Sequence, residues 1–288
     1  MTAALDWSRD GRGWPNRDAS VFVEAGGLRW HVQRAGRGPV LLLLHGTGAS
    51  THTWRDVLPR VATRFSVVAP DLPGHAFTEA PSPARQSLPG TAAALAALLE
   101  HLGAAPALVA GHSAGAAIAC RMALDGAIAP RALVSLNGAL LPLEGLPGFL
   151  FPPVARLLGA SAWLPRLFAW RAGDRAAVER LLRGTGSTID PAGVELYEWL
   201  VRSPAHVAAV LAMMAHWDLR PLARDLPRLR TPLVLVAAGG DRTIPPSQAE
   251  RVRARVRSAR VVAIPGLGHL AHEEAPGQIA DLLFDAML

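Results

Sequence analysis

Three residue types in a fixed chain order carry the chemistry of this sequence: a serine, then an aspartate, then a histidine. Ser113 sits in Gly111-His112-Ser113-Ala114-Gly115, a G-x-S-x-G pattern. A serine hydroxyl is a weak nucleophile. It needs a base to take its proton, a group to orient that base, and donors for the oxyanion that forms on the attacked carbonyl. Asp241 (in Gly239-Gly240-Asp241-Arg242) and His269 (in Gly266-Leu267-Gly268-His269) follow in the order acid, then base. Asp241 is expected to hold His269 in the right tautomer, and His269 to deprotonate Ser113. Glu144 and Asp218 are weaker alternative acids, because both lie in a region of different pattern. The oxyanion donors are expected from the backbone N–H of Ala114 and of Thr47, the latter in the H-G-x-G run His45-Gly46-Thr47-Gly48.

These residues need a scaffold, and the first half of the chain alternates strand and helix signals. Val21–Ala25 and Leu28–Arg34 read as a hairpin closed by Gly26-Gly27. Val40–Leu44 is a continuous apolar run, as expected for a strand buried on both faces. Helices are expected at His52–Thr63, Thr91–Leu102 and Ala114–Leu124. Strands are expected at Phe65–Ala69, Ala107–Ala110 and Ala132–Leu136. Ser113 thus falls between a strand and a helix, the context that G-x-S-x-G requires. The pattern implies a mostly parallel sheet of eight strands with helices on both faces. Near Leu140 it breaks. Leu140–Trp170 is apolar but carries Pro142, Pro147, Pro152, Pro153 and Pro165, which a single spanning helix or a strand tolerates poorly. Short helices fit it better, followed by helices at Ala176–Leu182, Pro191–Val201 and Pro204–His216. Strands and helices then resume at Leu233–Ala237, Ser247–Val256, Arg260–Ile264 and Pro276–Met287, placing Asp241 and His269 just past two strands. The expected division is a core in two parts, 1–139 and 221–288, with a helical cap inserted at 140–220.

Composition narrows the function classes. All 29 cations are arginine, and without lysine no Schiff-base or lysine-nucleophile chemistry is available. The pI of 11.1 reflects that absence more than charge excess, since the net charge is only +6, and no nucleic-acid partner is expected. Arg251, Arg253, Arg255 and Arg257 alternate along an expected helix, which spreads them around it instead of forming one basic stripe. A single cysteine, Cys120, permits no intrachain disulfide and fits a reducing compartment. The first residues have early charges and no apolar core of a secretory signal, and no uncharged apolar run reaches the length of a spanning helix. A cytoplasmic protein is expected, with peripheral membrane contact open. No G-x-G-x-x-G run follows a strand, so no redox cofactor is expected. His269-x-x-His272-Glu273 matches neither zincin pattern, and no metal is expected. His45, His112, Phe77, Phe149, Met214 and Trp217 are candidate substrate contacts, with packing the plainer role for Met214 and Trp217.

The run His45–Gly48, the segment Asp71-Leu72-Pro73-Gly74-His75, the serine turn, Asp241 and His269 together resemble the α/β-hydrolase superfamily over nearly the whole chain. Within it the chain resembles the magnesium-chelatase accessory proteins of bacteriochlorophyll biosynthesis. That likeness lies in Trp14-Pro15-Asn16-Arg17, Gly26–Gln33, Leu42–Trp54, Gly111–Ile118 and Gly184-Thr185-Gly186-Ser187. One departure is Ala76, where glycine is more usual. The resemblance implies an α/β-hydrolase fold with a cap, and a role beside insertion of magnesium into protoporphyrin IX, with chelatase subunits as partners. It does not specify a reaction. Gly145–Ala155 and Leu157–Pro165 carry no charge and hold Phe149, Phe151 and Trp163. A cap this apolar suits an apolar small-molecule substrate, a tetrapyrrole, a membrane surface or a partner protein. Two function classes therefore stand side by side: a serine hydrolase of apolar acyl compounds, and a porphyrin-binding or chelatase-assisting protein on a hydrolase scaffold. Haloalkane dehalogenation is disfavoured, since its nucleophile would be a carboxylate at position 113.

Overall fold

The computed structural model describes residues 5–142 and 174–287. Eight strands form one sheet: β1 (Ser20–Ala25), β2 (Leu28–Ala35), β3 (Val40–Leu44), β4 (Ser66–Pro70), β5 (Leu108–His112), β6 (Ala132–Leu136), β7 (Leu233–Ala238) and β8 (Ala259–Ile264). Their order across the sheet is β1-β2-β4-β3-β5-β6-β7-β8. β2 pairs antiparallel with β1 and β4, and the pairs from β4 to β8 are all parallel.

The apolar run of β3 is explained by its place. It lies between β4 and β5, and successive side chains enter opposite layers. Leu42 and Leu44 pack with Val109, Leu133 and Leu235 under the helices α1 (Leu88–His101) and α2 (Ala114–Leu124). Leu41 and Leu43 pack with Trp54, Val61, Val134, Val236 and Leu283 on the other face. Full burial of such a side chain contributes roughly 1.5–3 kcal/mol, so a polar change in β3 disturbs both layers at once.

Between β6 and β7 the chain leaves the sheet and forms α3 (Arg175–Gly184), α4 (Pro191–Val201) and α5 (Pro204–His216). Each is announced by a cap: Asp174, Asp190 and Ser203 accept from backbone N–H groups of the first turn, and Pro191 and Pro204 occupy first-turn positions where a missing N–H costs nothing. Glu144, Phe149, Phe151, Trp163 and the proline-rich apolar stretch around them lie outside the described residues. After β7 come α6 (Ser247–Arg253) and α7 (Pro276–Asp285).

One expected helix does not form as a unit. His52–Thr63 is divided into a 3-10 turn at Thr51–Trp54 and a single helical turn at Leu58–Val61. Pro59 has no N–H for a bond back to Arg55, and its ring would crowd the preceding turn. α1 begins at Leu88, three residues earlier than expected, because Ser87 accepts from Gly90 N–H and Pro89 fits the first turn. No described helix is long and apolar enough to cross a membrane.

Candidate active site

β5 runs into Ser113 and α2 leaves from it, so the serine occupies a one-residue turn between strand and helix. Its backbone has φ 51° and ψ −114°, a conformation costing an L-residue of order 1–3 kcal/mol. The surroundings hold it there: Ser113 N–H donates to Leu136 C=O, and Ser113 C=O accepts from Ala116 and Ala139 N–H. The flanking glycines are required by close approach. A Cβ on Gly115 would lie 2.3 Å from Leu44 C=O, and one on Gly111 would lie 2.4 Å from Ala116 N. Ala114 is the first residue of α2, where N–H groups have no intrahelical acceptor and the helix dipole favours negative charge.

Asp241 follows β7, and His269 follows β8. They meet through His269 Nδ1 and Asp241 Oδ2 at 2.8 Å, both residues being buried. The other carboxylate oxygen accepts from Thr243 N–H at 2.7 Å and Ile244 N–H at 2.9 Å, which fixes the carboxylate plane. With Nδ1 engaged, Nε2 is the ring nitrogen left for another partner. The His269 ring packs 4.6 Å, centre to centre, from the ring of His112, the neighbour of Ser113. The C-terminal ends of β5, β7 and β8 therefore gather serine, aspartate and histidine at one sheet edge, where open α/β sheets place their ligands.

The run after β3 lies against this point. A Cβ on Gly46 would sit 2.8 Å from His112 Nδ1 and 3.1 Å from Ser113 Cβ. Ala49 N–H donates to Gly46 C=O, closing a turn with Thr47 and Gly48 at its centre. His45 anchors the run to the segment after β4: Nδ1 pairs with Gly46 C=O at 2.8 Å, and Nε2 accepts from Leu72 N–H at 2.9 Å. Burial holds the His45 pKa below its ordinary value.

The other expected contact residues fall in different places. Both His45 nitrogens are occupied by backbone, a structural assignment. His112 is buried, and its Nε2 donates to His269 C=O at 3.0 Å, so it supports the loop that carries His269. Phe77 packs edge-on against Trp7 and Trp14 beside Trp199, in an aromatic cluster formed with the N-terminal segment. That is a packing position, reached because Phe77 N–H bonds to the buried Asp71 carboxylate. On α5 it is Met213, the neighbour of the expected Met214, whose sulfur meets Thr47 Oγ1 at 3.8 Å. Met214 is half-buried, and Trp217 packs on the α1/α2 layer. Among the alternative acids, Asp218 pairs with Arg220 at 2.8 Å.

Several supporting residues were invisible in the sequence. Asn137, just past β6 with φ 47°, donates to Gly268 and His269 C=O and accepts from Ala238 N–H, binding the ends of β6, β7 and β8 into one unit. An asparagine directly after a buried strand was its one available signal, since asparagine tolerates positive φ. The segment between β6 and β7 contributes Thr185, whose C=O accepts from Arg242 and His269 N–H, and Ser187, whose Oγ accepts from Leu270 N–H. Helix α4 is also tied down at Glu273, which accepts from Tyr197 Oη and Thr53 Oγ1, both at 2.7 Å, and from Arg55 at 2.9 Å. Burial lifts the Glu273 carboxyl to about 7 against these stabilising partners. Asp71 shows the reverse balance: burial pushes its carboxyl up, but the His31 ring at 2.7 Å and Thr51 N–H outweigh it and bring the pKa to about 2.

The sequence profile of the Alpha/beta hydrolase family matches residues 41–282, which spans β3 to α7. The chain belongs to this family. The "Magnesium-chelatase 30 kDa subunit" of Rhodobacter capsulatus is 40% identical over 274 residues, covering 94% of this chain and 95% of that protein. A "Pimeloyl-[acyl-carrier protein] methyl ester esterase" of Aeromonas hydrophila is 28% identical over 262 residues, covering 88% of this chain and 96% of that protein. Among solved structures, an α/β hydrolase fold protein from Burkholderia ambifaria superposes with a TM-score of 0.77 at 24% identity, covering 99% of this chain and all of that one. The alpha/beta hydrolase family membership agrees with the serine turn and sheet order described above, and the likeness to the chelatase subunit extends through the helices between β6 and β7.

Proposed function

We propose that this protein is a serine hydrolase of apolar carboxylic esters or related acyl compounds, working beside magnesium insertion in bacteriochlorophyll synthesis. The observation that carries the reading is the Asp241–His269 hydrogen bond at the sheet edge that bears strained Ser113. In this mechanism His269 Nε2 takes the proton of Ser113 Oγ as that oxygen attacks the substrate carbonyl. Asp241 keeps the ring in its Nδ1–H tautomer and stabilises the imidazolium. The N–H groups of Thr47 and Ala114 receive the oxyanion, and loss of one such donor typically costs about 3–4 kcal/mol of transition-state stabilisation. The imidazolium then protonates the leaving alcohol, and water repeats the sequence on the acyl-enzyme. In this reading the helices α3, α4 and α5 serve as a cap over the site.

Labelling with a fluorophosphonate probe tests this directly. Wild-type protein is expected to be modified at Ser113, and Ser113→Ala is expected to be inert. A folded wild type that resists the probe would remove the hydrolase reading.

A second reading is favoured by the likeness to the chelatase subunit: a non-catalytic protein that binds a tetrapyrrole or assists chelatase subunits, since fold does not fix function. Complementation of pigment synthesis separates the two. Full rescue by Ser113→Ala supports the accessory role, and loss of rescue with intact folding supports catalysis.

A further inference from the structure

Helix α5 bonds to the turns after β3 and β4. His206 and Met213 are seven residues apart on it, hence on one face. That face meets the turn after β3, and each residue grips one of the turn's two central positions. His206 Nδ1 accepts from Ala76 N–H at 3.1 Å. The ring proton is thereby left on Nε2, which donates to Gly48 C=O at 3.3 Å. Met213 Sδ accepts from Thr47 Oγ1 at 3.8 Å. His206 is 3% exposed, and burial pulls its pKa down to about 4, so the ring stays neutral near pH 7 with one donor and one acceptor. Both backbone partners sit in special conformations: φ is 44° at Ala76 and 80° at Gly48. A turn of this kind has alternatives, and a single bridging ring selects one for both segments.

We propose that His206 is a positioning residue that sets the orientation of the Thr47 peptide, so that the cap completes the oxyanion hole of the core. This rests on the hydrolase reading above. The Thr47 N–H belongs to the peptide joining Gly46 and Thr47. The carbonyl of that same peptide pairs with His45 Nδ1 at 2.8 Å and accepts from Ala49 N–H at 3.2 Å, and Gly46 itself is fixed by its close approach to His112 and Ser113. On the far side of the turn the Gly48–Ala49 peptide is held through Ala49 N–H, which closes the turn onto Gly46 C=O, and through the Gly48 carbonyl, which His206 holds. Without the His206 bond that peptide keeps the Ala49 N–H contact alone, and the turn can rotate about it and carry the Thr47 N–H from the position the oxyanion will occupy.

The test compares wild type, His206→Ala and His206→Gln in hydrolysis of p-nitrophenyl butyrate across pH and in the rate of fluorophosphonate labelling. A glutamine amide carries an acceptor and a donor at a spacing close to that of the two ring nitrogens. A misplaced donor is expected to act on the transition state alone, so His206→Ala should lose about 10- to 100-fold in kcat and in labelling rate, with KM within about two-fold of wild type. The acid limb of the pH profile should not move. His206→Gln should recover most of the rate. An unchanged kcat in His206→Ala, a loss expressed in KM, a displaced acid limb, or a glutamine variant as poor as alanine would each overturn the positioning role while leaving the hydrolase reading intact. A wild type inert to both probe and ester overturns both.

Discussion

Substituting Gly186 by alanine should weaken the fold and the site together. Gly186 lies in the turn Gly184–Ser187 that follows α3, threaded between the loop bearing Asp241 and the loop bearing His269. Its φ is 86°, and an added Cβ would stand 1.9 Å from the carbonyl oxygen of Gly240. A real Cβ cannot occupy that position, and the atom it meets is backbone, so one of the two loops must move. Left-handed φ costs an alanine about 1–2 kcal/mol, and forcing a methyl into packed surroundings adds typically 1–3 kcal/mol. The total, about 2–5 kcal/mol, is within the roughly 5–15 kcal/mol stability of a domain, so the variant should still fold. At roughly 2–4 °C per kcal/mol for a protein near this size, the melting temperature should fall by about 10 °C. Gly240 directly precedes Asp241, so the shift should also loosen the 2.8 Å contact with His269 and slow fluorophosphonate labelling by about 10- to 100-fold. Gly184 supplies the control. A Cβ there meets nothing within 4 Å, and its φ is not in the left-handed region. As the last residue of α3, Gly184→Ala should leave stability unchanged or raise it by up to about 1 kcal/mol. Thermal unfolding followed by circular dichroism measures both. A Gly186→Ala protein melting within about 1 °C of wild type would show that the turn is not the clasp described here.

Acid should unfold the protein steeply. Burial holds His206 at about 4 and His272 at about 3, below the ordinary 6.5, and lowers His45, His52, His75 and His112 in the same direction. A base with a depressed folded pKa stabilises the fold above its unfolded pKa and loses that contribution as pH falls through the folded value. Each such group withdraws about 1.4 kcal/mol per pH unit, so His206 and His272 alone remove roughly 5 kcal/mol between pH 6.5 and 4.5. Glu273, raised to about 7, opposes them: its contribution is present below 4.5 and lost as pH rises through 7, which returns roughly 3 kcal/mol over the same interval. The urea midpoint should therefore drop below pH 6, and a flat profile from pH 7 to 4.5 would refute the buried neutral histidines. The single cysteine should be silent. Cys120 is buried in α2 with its thiol pushed up to about 12, so iodoacetamide should modify it only in denaturant. Rapid stoichiometric alkylation of the native protein would contradict that burial.

Much of the scaffold was legible because its signals are local. Mostly apolar runs marked β3, β5 and β6, since strands covered on both faces favour apolar residues on both, with Ser135 in β6 and His112 at the end of β5 the polar exceptions. Proline and a capping residue marked the starts of α4 and α5, and Ser113 between strand and helix marked the turn. The segment His52–Thr63 was misjudged because its apolar spacing is helical while Pro59 interrupts the bonding.

The residue types and chain order of Ser113, Asp241 and His269 belong to the sequence. So does the mostly parallel run of the strands, because parallel crossovers follow from alternating strands and helices, whereas their order across the sheet came from the structure. Only the tertiary structure decided what holds them. Asn137, Thr185, Ser187 and His206 act across long sequence separations through bonds to backbone groups that have no residue signature, and Glu273 does so through the side chains of Thr53, Arg55 and Tyr197. Position likewise decided the histidines. His45, His112, His206 and His269 are one residue type, yet a carboxylate faces His269 and backbone groups engage the nitrogens of the others. Which partner a ring meets depends on loops from distant parts of the chain, and that is settled only when the sheet has brought them together.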